Sequence, residues 1–396
     1  LMPGPLTSLE VLDVSTLLPG PYASMLLADL GAEVLRVESP TRPDMVRYIP
    51  PSDGTTSAAH AQLNRNKRSL ALDLKKPRSP EIIHQLVADY DIVLEQFRPG
   101  VMDRLGVGYD TLREHNSAVI YCAITGYGQS GPYRDRAGHD INYLALSGIS
   151  DASRRRGEAP VPWGIQVADV AGGAHHAVMA ILAAVVHRQH SGEGQYLDVS
   201  MTDAVFAMQA ISGSSTLGGG ESPGPESWQL NGGSFYDFYE TLDGRWISVG
   251  SLEPQFLQRL LGALEVEPPD GLSSHDNVSQ QRLKAAIRKC FLARTYAEWC
   301  DVFQDVDACV EPMLSFDEAQ EHPQLNSRGL VVEVPDSEGS SRRQLASPLR
   351  FSKTPPSYRH SGGPVGEHTV AVLEELGYSD DKIQELIEAG AAYQTT

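Results

Sequence analysis

The 396-residue chain reads as an α/β fold, a large Rossmann-like doubly wound domain with a smaller α+β domain beside it. Three observations carry this reading. The first hundred residues alternate apolar runs with helical periodicity, the pattern of strand and crossover helix in a parallel sheet. A stretch dominated by glycine, serine and proline, Ser212 to Gly233, then marks a linker or mobile loop. Beyond it, Asp243-Gly244 between two apolar segments signals a hairpin, followed by three helical segments. The chain is therefore divided into 1–225, a large domain, 226–330, a small one, and 331–396, a segment returning to the large domain.

In order, Leu9 to Val14 is the first strand, and Pro19-Gly20-Pro21 opens a helix that stops at Gly31, a residue suited to a left-handed cap. Glu33 to Glu38 (EVLRVE) is the next strand and Ser69 to Asp73 the third. Ser79-Pro80 starts a helix that runs to Asp89, Asp91 to Glu95 is a strand, and Ala118 to Ile124 is the last of the series. Helical periodicity returns from Val167 to His190, then a strand from Gly194 to Val199 and a helix from Thr202. In the smaller domain, helices are expected at Pro254 to Leu264, Ser279 to Leu292 and Thr295 to Phe303. Two more follow at Val370 to Leu376, stopped by Gly377, and from Ser379 to Gly390.

Composition narrows the function classes. With 32 Lys+Arg against 51 Asp+Glu the net charge is −19, so neither nucleic acid nor an anionic membrane surface is an expected partner. No run approaches the roughly 18 consecutive apolar residues of a membrane span, and the first residues lack a secretory pattern, so a cytoplasmic location is expected. The four cysteines form no CxxC pair and no HExxH occurs, so no metal is expected. The first strand-to-helix turn, Ser15 to Pro21, is not GxGxxG, which leaves a nicotinamide or flavin site unsupported.

Against this acidic background, basic residues gather near expected strand ends. Arg65, Lys67 and Arg68 stand in Asn64 to Arg68, with Lys75, Lys76 and Arg78 next, and Arg98 lies in Phe97-Arg98-Pro99-Gly100. Ligands of open α/β sheets bind there, and Arg and Lys can hold phosphates, although a solvated surface is the plainer reading. Arg154-Arg155-Arg156 is read as solvated surface. His139, in Gly138-His139-Asp140, sits in a loop turning into a helix and is either structural or an exposed proton carrier. Asp169 is either an ordinary helix cap or a carboxylate beside free helix amides, which would hold a developing oxyanion. Glu253, before Pro254, opens a helix on the plainer reading.

These residues carry a resemblance. LLPGPYASMLLADLGAEVLRVE, LNRNKRSLALDLK, FRPGVMDRLGVGYDTL, ITGYGQSGPYRDRAGHDINYLALSG, GEGQYLDVSMTDA, EPQF and GEHTVAVLEELGY occur in order over nearly the whole chain. The sequence resembles the family III CoA-transferase superfamily, of CaiB/BaiF type, and within it the branch of the α-methylacyl-CoA racemases. That branch is favoured by GHDINY, which contains His139, and EPQF, which contains Glu253. The chain departs from the branch after Gly173, where Ala174-His175-His176-Ala177 replaces a methionine- or phenylalanine-rich stretch.

The resemblance implies an isomerase that interconverts (2R)- and (2S)-2-methylacyl-CoA thioesters by two-base proton transfer through an enolate. Here His139, oriented by Glu253, acts on one face and Asp169 on the other. The amides at the helix start near Asp169 are the expected oxyanion donors. It also implies an interlocked homodimer, CoA held by Arg36, Arg65, Arg68 and Arg98, and no separate cofactor, because CoA arrives within the substrate. Two alternatives stand beside it: a CoA-transferase with Asp169 as nucleophile, and a non-catalytic acyl-CoA binding protein.

Overall fold

The computed structural model describes residues 4–52, 56–273, 276–337 and 339–395. The chain folds into two compact units: Leu1–Leu144, Gly164–Phe206 and Asn326–Thr396 form the larger, and Ala145–Trp163 with Ala207–Leu325 the smaller. The breaks thus fall elsewhere than at 225/226 and 330/331.

The larger unit is built on β1 (Glu10–Asp13), β2 (Glu33–Glu38), β3 (Lys67–Leu72), β4 (Ile92–Glu95), β5 (Ile120–Thr125) and β6 (Tyr196–Ser200). They pair in parallel in the order β3-β2-β1-β4-β5-β6, and an edge strand, Ala392–Tyr393, adds antiparallel to β3. Strands covered on both faces need apolar side chains in both directions, which Val11, Leu12, Ile92, Val93 and Leu94 supply, all without exposed surface. The strand order reverses between β1 and β4. A doubly wound sheet opens a crevice beyond the carboxyl ends of those two strands.

One sheet face packs against Ile82, Ile83 and Leu86 of the helix Ser79–Val87 and against Val372, Leu373, Ile383 and Leu386 of the two C-terminal helices. Truncating a leucine such as Leu373 to alanine there removes about 2–5 kcal/mol. Against the helix Pro19–Asp29 and β5 lies the helix Ala168–Ser191. By length and composition it is apolar enough to cross a bilayer, which a search for uninterrupted apolar runs missed because Asp169, His175 and His176 break the run. Its first eight residues, Ala168–His175, are wound as π-helix, and regular α-helix follows from His176. Such insertions recur at functional sites.

In the smaller unit, β7 (Asp237–Glu240), β8 (Trp246–Val249) and β9 (Val310–Pro312) form an antiparallel sheet. The β7–β8 turn holds Gly244 at φ 76°, where a side chain would strain. Tyr239, Ile247, Val249 and Val310 pack against Leu260, Leu283, Ile287, Phe291 and Trp299 of the helices Pro254–Leu264, Asn277–Phe291 and Tyr296–Phe303. Two local causes move the boundaries. Residues Ser212–Leu217, expected as linker, form a helix. The segment Ala145–Trp163 is held by Arg155, which donates to Asp237 Oδ1 and Oδ2 at 2.6 and 2.7 Å and to Glu226 Oε1 at 3.0 Å. Arg155 is therefore an anchor and not part of a solvated triplet.

Candidate active site

A cavity of about 480 Å³ lies in the larger unit at the reversal of strand order. It is lined after β1 by Leu17 and Pro19, after β4 by Gln96, Phe97, Arg98 and Pro99, and then by Gly126, Tyr127, Arg134, Arg136, His139, Asn142, Tyr143, Asp169 and Met201, among others. The turn after β1 is held tightly. Gly20 N–H donates to Gln96 Oε1 at 2.7 Å, and a Cβ on Gly20 would come within 2.2 Å of Ser15. Leu17 adopts φ 62°, its amide donating to Asp44 Oδ2 at 3.0 Å.

The loop carrying His139 is fixed by its neighbours. Tyr143 Oη donates to Gly138 O at 2.6 Å, and its ring fills the space where a Cβ on Gly126 or Gly138 would stand. The imidazole of His139 remains exposed, and its backbone amide donates to Asn142 Oδ1 at 3.0 Å.

Asp169 lies in the π-helical turn. Burial pushes its carboxyl up to about 7 from 3.8, and the negative charge of Asp140 adds to the effect. The neighbouring Asp140 ties the His139 loop to the π-helical turn, since its Oδ1 accepts from the amides of Ala168 at 2.6 Å and Asp169 at 3.0 Å. Those amides were the expected oxyanion donors. They are occupied, and that expectation is corrected. Asp140 was overlooked in the sequence although it stands beside His139 in the same motif.

Glu253 belongs to the smaller unit. It is exposed at the start of the helix Pro254–Leu264 with its side chain free of any capping bond, so its carboxylate is not spent on opening that helix. A second cavity, about 810 Å³, is lined in that unit by Trp163, Tyr236, Phe238, Cys309 and Glu311, among others.

Of the four arginines expected to hold a ligand, Arg98 alone lines the larger unit's cavity. Arg36, 2 % exposed, donates to Asp44 Oδ2 at 2.5 Å and lies 3.7 Å from Glu38. Arg65, fully buried, makes a two-pronged pair with Asp29 at 2.9 and 2.6 Å and also donates to Leu345 O. Arg68 pairs with Glu375 at 2.7 Å. Arg36 and Arg65 are thus corrected to internal ion-pair partners, and Arg68 is engaged by a C-terminal helix. Arg134 and Arg136, in the loop ahead of Gly138, take the place at the cavity. The YRDR run was the available signal, and it was read only as part of a longer motif.

Comparison with known proteins matches this architecture. The model of "CoA-transferase family III" matches residues 6–369. The chain is 37% identical to the alpha-methylacyl-CoA racemase of Homo sapiens, covering 96% of both chains. It is 31% identical to the succinyl-CoA:glutarate CoA-transferase of Homo sapiens, covering 98% of this chain and 90% of the relative. The crystal structure of a CAIB/BAIF family protein from Brucella suis superposes with a TM-score of 0.82 at 26% identity, covering 95% of this chain and all of that one. The chain belongs to CoA-transferase family III.

Proposed function

We propose that the protein racemises 2-methylacyl-CoA thioesters by two-base proton transfer. One observation carries the reading: an exposed imidazole, His139, and a carboxyl held near neutrality, Asp169, line one cavity. An acid–base group works best when its pKa lies near the working pH, whereas a nucleophilic carboxylate gains from staying ionised. In the forward step one of the pair takes the proton from the α-carbon, and the C–H electrons move onto the thioester carbonyl to give an enolate. The other then returns a proton to the opposite face. With the amides of Ala168 and Asp169 occupied, the enolate oxygen is met by the side-chain Nδ2 of Asn142, whose Oδ1 is already engaged by His139.

Glu253 orients His139 in this scheme. We assign it to the partner subunit of an interlocked homodimer, as the resemblance to the family suggests. The racemase relative at 37% identity supports the reading over the transferases at 31%. That second reading keeps its own support, since the transferase relative also matches nearly the full chain. Hydroxylamine separates the two. A transferase leaves an aspartyl anhydride that hydroxylamine converts to a hydroxamate on Asp169, detectable by peptide mass spectrometry. The racemase reading predicts an unmodified Asp169.

A further inference from the structure

His176 stands where the π-helical turn around Asp169 gives way to regular α-helix, and its ring is directed back into that turn. Its Nδ1–H donates to the carbonyl of Ala171, five residues earlier, at 2.6 Å. A carbonyl oxygen can only accept, so Nδ1 carries a proton here. Side chains on a helix lean toward its N-terminus, which is why a ring at this position can reach back at all. In an α-helix, however, five residues carry the chain about 140° beyond one full turn. Side chains there that bond a preceding carbonyl reach three or four residues back. The bond from His176 to Ala171 therefore fits the wider winding, whose backbone repeats over five residues, and is lost if the turn tightens.

Gly172 and Gly173 lie between the two bonded residues, and glycine is a weak helix former, so the backbone here changes its winding at low cost. Packing pins this part of the turn. A Cβ on Gly172 would meet Met201 O and Val205 Cγ1 at 3.1 Å, and one on Gly173 would meet Pro19 Cβ at 2.9 Å. Asp169 lies on the N-terminal side of the pinned glycines. Passing one residue from the wide winding to the α-helical one would rotate it by about 100° around the axis relative to them. That rotation takes the carboxyl out of the lining it shares with His139. The adjacent His175 is used differently, being exposed and edge-on to the ring of Tyr22 at 5.8 Å. We infer that His176 is a positioning residue, which by holding Ala171 O keeps the turn in the winding that presents Asp169 to the cavity. This inference rests on Asp169 being the reacting carboxyl.

The test follows proton exchange at the α-carbon of a 2-methylacyl-CoA in deuterated water. Wild type is compared with His176→Phe, His176→Leu, His176→Asn and Asp169→Ala, each first shown by thermal melt to be folded. His176→Phe and His176→Leu remove the donor at different bulk, so either one suffices if the other fails to fold. His176→Asn keeps an N–H donor at the same number of bonds from Cβ as Nδ1. Misplacing a reacting group by about 1 Å costs up to about a hundredfold. His176→Phe and His176→Leu should therefore lose about 10- to 100-fold in kcat with KM within about twofold, and His176→Asn should restore most of that loss. A bond serving stability alone would lower the melting temperature of His176→Phe and leave kcat in place. Wild-type kcat in a folded His176→Phe or His176→Leu, or a His176→Asn as slow as these, overturns the role of His176. Loss of exchange in Asp169→Ala alongside that result leaves the proposed function standing. Exchange that is absent in wild type, or undiminished in Asp169→Ala, overturns both.

Discussion

Two sets of arginines in the larger unit have opposite surroundings. Arg36 and Arg65 lie beneath the surface, each matched to carboxylates contributed by neighbouring strands and helices, Asp44 and Glu38 for one and Asp29 for the other. Arg98, Arg134 and Arg136 face a cavity whose lining offers them only Asp169. Both sets lie near strand ends or in loops of an acidic chain. What separates them is where the counter-charge comes from. A buried guanidinium must carry its partner inside the fold, since desolvating it alone costs several kcal/mol, whereas one at a ligand site leaves that place for the ligand.

The comparison sharpens most at the reacting groups. Replacing Asp169 or His139 by alanine should lower kcat about 10²–10⁴-fold while leaving the fold intact, as steady-state rates alongside thermal melts will show. Breaking the internal set should do the reverse. Arg65→Ala leaves Asp29 buried without its cation and should cost about 3–5 kcal/mol in urea unfolding, whereas Arg98→Ala should change stability by no more than about 0.5 kcal/mol and raise KM instead. An Arg98 variant that unfolds as readily as the Arg65 variant would erase the distinction.

A subtler contrast concerns charge at Asp169. Its carboxyl stands above its ordinary value, so the stability it allows is fully present below about pH 4 and is lost as pH rises through about 7, where ionisation penalises the fold. Asp169→Asn escapes that titration. Its urea midpoint should therefore gain on wild type between pH 4 and pH 8, at the expense of turnover. The smallest expected effect belongs to Asp140→Asn. The amide oxygen can still accept from the helix amides, but the charge that helps raise Asp169 is gone, so the acid limb of the pH–rate profile should move to lower pH. An unmoved limb would mean that burial alone sets the Asp169 carboxyl.

Most of the sheet was legible because central parallel strands must be apolar throughout, and EVLRVE or DIVLE can hardly be anything else. The helix starts at Pro19 and Pro254 and the turn at Asp243-Gly244 were equally plain, because proline and glycine act locally. Less legible was everything that depends on distant partners. The hairpin of Val331–Pro335 and Ser341–Leu345 was missed because its strands are short and half exposed and the second, SRRQL, is polar. The π-helical turn at Asp169 was invisible because no period in the sequence marks it. Its place depends on packing, since a Cβ on Gly173 would meet Pro19 and Met201 at 2.9 and 3.1 Å. His139 was singled out within GHDINY, and Asp169 by its place at the start of a helical stretch. That Arg65 is neutralised within the fold could be learned only from the structure, because Asp29 lies 36 residues from its partner.

The proposed racemisation turns on proton exchange between His139, Asp169 and the α-carbon of the substrate. It is tested most directly by incubating each enantiomer of a 2-methylacyl-CoA separately in deuterated water, with no added acid, and following mass and chirality together. Two-base racemisation gives deuterium at the α-carbon and convergence of both enantiomers on one mixture, abolished in Asp169→Ala and strongly slowed in His139→Ala. Full retention of configuration without deuterium, with CoA moving only once a free carboxylic acid is supplied, would contradict it.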